Sequence, residues 1–418
     1  MALIVQKFGG TSVGDIDRIK HVATLVKREV DAGHQVIVVV SAMAGVTNQL
    51  VEYCNAMNTL VSNDARANYD HVVASGEQVT SGLLALQLQT LGLKARAWAG
   101  WQLPLTSDTM YSKARIEHID VKQVNTSLAK GEIAVVAGFQ GITSEGRIST
   151  LGRGGSDTSA VAIAAAFGAE RCDIYTDVDG VYTCDPRIVK KAKKLTRVSY
   201  EEMLEMASLG SKVLQTRSVE LAMNYGVKVQ VLSTFDDKNA SDIPGTLLVD
   251  EEELVEQQRV TGIAYSRDEA RITLTNVENK PGVSAGIFGP LADQGINVDM
   301  IVQNVTEKGQ QTDVTFTVGK TDLARATEIV KNGRNMPKFD SLHSDSGVAK
   351  VSVIGVGMRS HAGIASEMFR TLADKNINII VISTSEIKIS VLIAEEYLEL
   401  ALRALHTVYG LDATEERG

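Results

Sequence analysis

The last third of the chain repeats itself, and no other feature restricts its possible folds as strongly. Ala270-Arg271-Ile272-Thr273-Leu274 returns as Ala349-Lys350-Val351-Ser352-Val353. Leu291-Ala292-Asp293 with Ile296-Asn297 returns as Leu372-Ala373-Asp374 with Ile377-Asn378. Gly282 and Gly363 fall at one turn, and Phe288 and Phe369 on one helix face. Each copy reads as a strand, a glycine turn, a helix, two strands (the second at 311–318 or 387–393) and a closing helix. These are the first five elements of a βαββαβ unit of the ferredoxin-like type, which is read as duplicated.

Before the repeat, strand and helix signals alternate. An apolar strand at 3–6 is followed by Ile16, Ile19, Val22, Val26 and Val30 at helical spacing, closed by Gly33. The β-branched run at 36–40 has the character of a strand buried on both faces. Further strands are expected at 94–99, 133–137, 172–176 and 227–232, with helices at 78–91, 121–130, 157–167 and 211–225. The alternation predicts an α/β architecture, a mostly parallel sheet covered by helices on both sides. Asp236-Asp237-Lys238-Asn239, Pro244-Gly245 and the acidic run 250–253 mark a junction. The expected division is a first domain at 1–250 and the two repeats at 262–340 and 345–418, in keeping with two or three domains for 418 residues.

The chain holds 42 Lys and Arg against 51 Asp and Glu, a net charge of −9, with no long basic stretch. No nucleic-acid or anionic-membrane partner is therefore expected. Cys54, Cys172 and Cys184 show neither a CxxC nor a metal spacing, so neither a disulfide framework nor a zinc site is expected. No apolar run reaches membrane-spanning length, and the N-terminus reads as a strand and not as a signal peptide. A cytoplasmic location is the expectation.

Two glycine loops point to chemistry. Lys7-Phe8-Gly9-Gly10-Thr11-Ser12 directly follows the first strand; its glycines admit close backbone approach to a ligand, and Lys7 offers a mobile positive charge. The lysine precedes the glycines, so this is not the G-x-x-x-x-G-K phosphate loop. Alone, a glycine turn beside a surface lysine would look the same. Gly152-Arg153-Gly154-Gly155-Ser156-Asp157-Thr158-Ser159 opens a helix, where N–H groups form an anion site and Arg153 adds a fork for carboxylate or phosphate. Simple capping by Ser156 or Asp157 is the alternative. Two such loops at strand exits favour phosphate handling. Lys7, Arg153, Arg187 and Lys212 would concentrate the positive potential that a nucleotide needs in this acidic chain.

Lys7 to Val13, Ser41-Ala42-Met43-Ala44-Gly45-Val46-Thr47-Asn48, Ser75-Gly76-Glu77 and the 152–157 loop follow one another in a recognisable order. Thr176-Asp177-Val178-Asp179-Gly180-Val181-Tyr182, Asp185-Pro186-Arg187 and Gly210-Ser211-Lys212-Val213-Leu214 complete it. In these motifs the whole chain resembles the aspartate kinases, and the repeat resembles their paired ACT domains. The resemblance implies an amino-acid-kinase-type αβα sandwich and, with no dehydrogenase domain after the repeats, a monofunctional bacterial form. It implies ATP-dependent phosphorylation of the β-carboxylate of L-aspartate. Lys7 would neutralise charge on the γ-phosphoryl group, and Asp157 would position Lys7. Ser41, Thr47, Glu77, Arg153, Gly154, Gly155 and Ser156 would bind aspartate, Arg153 at its α-carboxylate and Glu77 at its α-ammonium. Lys7, Phe8, Gly9, Gly10, Thr176, Asp177, Tyr182, Asp185, Arg187, Lys212 and Val213 would line the ATP site. Mg²⁺ would ride on the ATP phosphates without a protein cage.

Such a reaction fits the residue types present. A β-carboxylate with a pKa of about 3.9 is already ionised at neutral pH. It needs alignment and charge stabilisation and no general base, and no Ser–His–Asp or Cys–His pattern stands out in the sequence. The resemblance also implies lysine and threonine as feedback inhibitors, bound between the first ACT unit of one chain and the second of a partner. Asn279, Asn297, Asp299 and Gln303, with Asn378, Ile379, Ser383 and Ser385, are the candidate contacts; turn capping is their simpler role. A homo-oligomer through the ACT units, or assembly with a shorter ACT-only subunit of its own, is expected.

Two other readings stay open. Another member of the amino acid kinase superfamily, such as an acetylglutamate, glutamate or uridylate kinase, would lack the 41–48 and Glu77 motifs together with two ACT copies. A non-catalytic amino-acid sensor would have no reason to keep Lys7 and Asp157. The remaining polar residues are expected to be structural. Lys190-Lys191-Ala192-Lys193-Lys194 reads as a solvated cluster. The seven histidines, among them His21, His34, His71 and His118, read as surface or capping groups. Trp98 and Trp101 are expected to pack, and Met203 and Met206 to fill core.

Overall fold

A computed structural model describes residues 2–209, 213–236, 245–254, 259–305, 311–333, 336–361 and 363–412. The chain divides into two compact units: 1–181 with 194–208 and 212–255, and 182–193 with 209–211 and 256–418.

The first unit begins β1 (Leu3–Phe8), α1 (Ile16–Asp31), β2 (Gln35–Val40), α2 (Val46–Met57), α3 (Asn63–Val73), α4 (Ser75–Thr90) and β3 (Ala95–Trp98). It continues with β4 (Leu105–Ser107), β5 (Ile116–Ile119), α5 (Lys122–Leu128), β6 (Ile133–Ala137), β7 (Gln140–Thr143), β8 (Ile148–Thr150) and α6 (Gly155–Phe167). β9 (Arg171–Thr176), β10 (Arg197–Ser199), α7 (Tyr200–Ser208), α8 (Thr216–Tyr225), β11 (Val229–Ser233) and β12 (Thr246–Val249) complete it. The main sheet runs β10-β12-β11-β9-β1-β2-β6-β3. Every pairing in it is parallel except β11 with β12. The alternating helices make this so, because each returns the chain to start the next strand in the same direction.

Side-chain alternation decides which layer covers which face. Val36, Val38 and Val40 of β2 share a core with Ile19, Val22 and Val26 of α1 and with Leu84 and Leu88 of α4. On the other face α6 packs against β1, β2 and β9; it is buried from Gly155 to Ala164, a polar first turn at Ser156–Ser159 followed by an apolar run. The expected sandwich is therefore present. A second sheet, β5-β4-β7-β8, was not expected. Its strands are three or four residues long, too short for a period-2 pattern to register. The helix expected at 211–225 starts only at Thr216.

The second unit contains β13 (Gly262–Glu278), α9 (Val283–Asp293), β14 (Val298–Val305), β15 (Gln311–Val318) and α10 (Leu323–Asn332). β16 (Ser341–Ile354), α11 (Ile364–Asp374), β17 (Val381–Thr384), β18 (Lys388–Ala394) and α12 (Leu398–Val408) follow. Gly282 and Gly363 are the N-caps of α9 and α11 with φ of +91° and +101°, so the repeated glycines mark one left-handed turn. The repeated leucines and isoleucines, Leu291 with Ile296 and Leu372 with Ile377, sit in separate cores. Phe288 meets Phe316 edge-on at 5.2 Å.

The two copies do not stand side by side as complete units. All six strands form one antiparallel sheet, β14-β15-β13-β16-β18-β17. The late part of β13 pairs with β15, as the first copy requires. Its early part, 262–266, pairs with 350–354 of β16, which in turn pairs with β18. The closing strand of the second copy thus comes from before the first, a correction to two self-contained βαββαβ units in sequence. The segment 182–193 also belongs here: Cys184 and Val189 are buried with Val351, Leu402 and Leu405.

Candidate active site

β1, β2, β6, β9 and β11 are mutually parallel neighbours. Their C-terminal ends, with Phe8, Val40, Ala137, Thr176 and Ser233, therefore share one edge of the sheet, where α/β folds place ligands. Lys7 lies in β1 itself. Its Nζ stands 2.5 Å from Asp157 Oδ1, and both side chains are only 10% exposed. The charge is thus held in place by the first turn of α6, which sets aside the alternative of a free surface lysine beside a glycine turn.

The loop after β1 is fastened on both sides. Gly9 N–H donates to Tyr175 O at 3.2 Å and Ser41 N–H to Phe8 O at 3.1 Å. Phe8 stacks on Tyr175 with centroids 4.7 Å apart. A methyl group at Gly10 would come within 3.1 Å of Ala42 O, and one at Gly9 within 3.4 Å of Lys7 Nζ. Ser12 and Thr234 share a hydroxyl hydrogen bond of 2.6 Å, a fastening that no sequence motif announced.

Glu77 lies in the first turn of α4 and is 3% exposed. Its Oε1 accepts the Ala42 N–H at 3.0 Å, whereas its Oε2 is buried with no hydrogen-bond partner among the described residues. Burial pushes its carboxyl up to about 7. Gly76 beside it packs against Ala42, where a methyl group would stand 2.7 Å from Ala42 Cβ. Thr47, in the first turn of α2, is half-buried.

The loop 152–157 is shaped by its glycines. Gly154 is the N-cap of α6 with φ +66°, and any side chain there would run into Gln215. Gly155 is pressed against Phe139 and Leu151. Ser156 and Asp157 are buried, while Arg153 is exposed and makes no ion pair among the described residues. A buried carboxylate outside every motif supports this region: Asp70 accepts from Ser112 N–H at 2.9 Å, Thr150 N–H at 2.7 Å and Thr150 Oγ1 at 2.8 Å.

The structure thus brings Lys7, Phe8, Gly9, Gly10, Ser41, Thr47, Glu77, the 153–157 residues, Thr176 and Asp177 into the first unit. Thr176 Oγ1 donates to Asp177 at 3.2 Å. Val213 is half-buried there too, while Lys212 lies outside the described residues. Tyr182, Asp185 and Arg187 belong to the second unit. Arg187 grips Asp185 through Nε at 3.0 Å and Nη2 at 2.8 Å, holding that carboxyl below the usual range. Of the lysine cluster, Lys190 and Lys191 are exposed, but Lys194 is half-buried and paired to Asp179 at 3.3 Å. Trp98 is buried as expected; Trp101 is 49% exposed. One histidine departs from its expected surface role: His406 is fully buried.

In the second unit, Asn297, Asp299 and Gln303 lie at or on β14, and Asn378, Ile379, Ser383 and Ser385 lie around β17. Met300 and Val302 share an apolar cluster with Ile380 and Val381, so both sets occupy one neighbourhood. Asp299 accepts from Lys350 Nζ at 2.5 Å, and the same ammonium reaches Glu269 at 2.7 Å. Asn279 follows the end of β13. No helix among the described residues is long and apolar enough to cross a membrane.

Residues 2–233 match the amino acid kinase family, and 271–332 and 351–409 each match an ACT domain. The aspartokinase of Pseudomonas aeruginosa is 51% identical over 421 residues, spanning 100% of both chains. That of Helicobacter pylori strain 26695 is 48% identical over 98% of this chain and 100% of its own. Among solved structures, E. coli aspartokinase III in complex with aspartate and ADP superposes with a TM-score of 0.77 at 26% identity, covering 97% of this chain and 99% of that one. With a matching family in each unit and full-length relatives at half identity, the chain belongs to the aspartate kinases of the amino acid kinase family.

Proposed function

We propose that the first unit binds L-aspartate and MgATP and transfers the γ-phosphoryl group to the aspartate β-carboxylate. The product, 4-phospho-L-aspartate, opens lysine, threonine and methionine biosynthesis. The observation that carries this reading is the buried Lys7–Asp157 pair at the start of α6, a fixed cation beside backbone donors at a strand exit. The attacking carboxylate is ionised at neutral pH, so the chain has only to align two anions and offset their repulsion.

Lys7 takes up charge on the phosphoryl group, and Asp157 fixes its direction. Gly9 and Gly10 let the backbone approach the phosphates. Glu77, with an unpaired oxygen, takes the α-ammonium of aspartate; exposed Arg153 takes the α-carboxylate in a two-bonded fork. Ser41, Thr47, Gly154, Gly155 and Ser156 complete the aspartate side. Phe8, Thr176, Asp177, Tyr182, Asp185, Arg187, Lys212 and Val213 serve the nucleotide. Magnesium enters with ATP as part of the substrate and asks little of the protein. The relative solved with aspartate and ADP supports both ligands.

Regulation belongs to the second unit. Lysine, alone or with threonine, would bind near Asn279, Asn297, Asp299 and Gln303 and near Asn378, Ile379, Ser383 and Ser385 of a partner copy. The same E. coli relative is solved with lysine and aspartate, which supports lysine. Cytoplasmic action is part of the proposal, as Cys54, Cys172 and Cys184 are buried free thiols. Hydroxylamine trapping of the acyl phosphate tests all of it, comparing aspartate, acetylglutamate and UMP with and without lysine plus threonine. Trapping only with aspartate, suppressed by the effectors, is expected. Product from another acceptor would overturn the substrate.

A further inference from the structure

Asp70, on α3, is 0% exposed. Its Oδ1 and Oδ2 accept the Ser112 N–H at 3.0 and 2.9 Å. Oδ2 also accepts the Thr150 N–H at 2.7 Å, and Oδ1 the Thr150 hydroxyl at 2.8 Å. Burial pushes the carboxyl above its usual range, and these bonds oppose the rise. Taking a carboxylate out of water is costly, and an apolar side chain would fill the space without that cost. What the carboxylate supplies is acceptor capacity: two oxygens that gather three donors from two separate segments.

Both segments border the loop 152–157, and all of these residues belong to the first unit. Thr150 ends β8, three positions before Arg153. Ser112 has a φ of +69°, a left-handed backbone that serine seldom adopts and that persists only where its surroundings impose it. Asp70 imposes it through the Ser112 N–H. The carbonyl of that strained residue lies against Gly152, where a methyl group would come within 3.2 Å of Ser112 O. Ala114 N–H donates to Thr150 O at 2.9 Å and ties the two segments together. Leu151 carries the constraint forward: its N–H donates to Phe139 O at 2.9 Å, and its carbonyl accepts from Arg217 Nη1 at 3.0 Å. Phe139 is a second residue with φ of +69°, and with Leu151 it confines Gly155.

We propose that Asp70 is a positioning residue for aspartate binding: by fixing Thr150 ahead of Gly152 and Ser112 against it, Asp70 sets the place from which Arg153 takes the α-carboxylate. The inference rests on the reading that the loop at 153–156 binds aspartate. It assigns a role to a carboxylate that touches no ligand. An exposed arginine on a glycine-rich loop would otherwise sample many positions, and holding the loop in one of them removes that cost from substrate binding.

Steady-state kinetics on the full chain test it with Asp70→Ala, Asp70→Asn, Thr150→Val and Arg153→Ala. Asp70→Ala should raise the KM for aspartate about ten-fold, with the KM for MgATP within about two-fold. Asp70→Asn should restore the aspartate KM to within about three-fold of the parent. Its carbonyl can accept both N–H groups while its amide donates to the Thr150 hydroxyl, which turns to accept. Thr150→Val removes one bond only and should raise the aspartate KM about three-fold; it carries the test if Asp70→Ala does not fold. Combining Thr150→Val with Arg153→Ala should raise the aspartate KM by less than the product of the single effects, since the clamp acts through the arginine. If Arg153→Ala raises the aspartate KM but Asp70→Ala and Thr150→Val do not, the positioning role is overturned and the aspartate reading stands. If none of them raises it, the aspartate reading of the loop falls and the inference with it. Parallel rises in both KM values, or an asparagine variant no better than the alanine one, would also overturn the proposal.

Discussion

Replacing Glu77 by glutamine should make the protein more stable and less active, by amounts that depend on pH. The carboxyl is 3% exposed, and burial moves it from the ordinary 4.5 to about 7. A folded-state value above the unfolded one means that the neutral form is favoured by folding. Its contribution is complete below pH 4.5 and is lost as the pH rises through 7. At 1.36 kcal/mol per pH unit, the ionised group costs about 3 kcal/mol at pH 8, about 2 at pH 6 and under about 1 at pH 5. Glutamine keeps the carbonyl oxygen that accepts the Ala42 N–H and can never ionise. Tm should therefore rise by roughly 6–12 °C at pH 8 and by no more than roughly 3 °C at pH 5.

The same change should raise the KM for aspartate by about ten- to a hundred-fold, as expected for losing a buried charge-assisted bond to an ammonium group. In the unaltered protein, aspartate affinity should fall as the pH drops below 7, where the empty site protonates Glu77. Calorimetry at the two pH values and initial rates against aspartate provide the measurements. A glutamine variant no more stable than the parent at pH 8, or a gain that is equal at pH 5, would refute the desolvation account. Normal aspartate affinity would remove Glu77 from the site.

Lys7→Ala should abolish turnover and, by leaving Asp157 buried without its cation, cost about 3 kcal/mol of stability. Adding Asp157→Asn should restore stability but not turnover; near-normal turnover in a folded Lys7→Ala variant would sink the phosphoryl role. Arg153→Ala should raise the KM for aspartate far more than that for ATP and change stability by less than about 0.5 kcal/mol, since the side chain is exposed. The reverse order of KM effects would mean that the two sites are exchanged. Lys350→Met should destabilise the second unit by about 3–5 kcal/mol, because Glu269, whose side chain is 8% exposed, loses its cation. Urea midpoints would show this, and an unchanged midpoint would contradict the burial of the pair.

Local rules were readable from residues alone wherever one residue type had one physical job. Gly282 and Gly363 had to mark left-handed turns, and the valines of β2 had to lie under helices on both faces. Lys7 beside Gly9 and Gly10 was a candidate cation at a strand exit, but its partner lies 150 positions away. Nothing near Lys7 in sequence reports that Asp157 would immobilise it. The same limit hides Asp70, an isolated acid on a helix until Ser112 and Thr150 close around it, and His406, whose surroundings come from Thr183 and Asp412. It also explains why the duplication misled. A repeated sequence records that two copies share a pattern, but strand pairing is settled by which edge remains open. The second copy has no closing strand after α12 among the described residues, so its open edge on β16 is taken by 262–266. β13 therefore belongs to both repeats at once. That sharing follows from hydrogen-bond satisfaction at a sheet edge, a constraint that acts only once the chain has folded far enough to have edges.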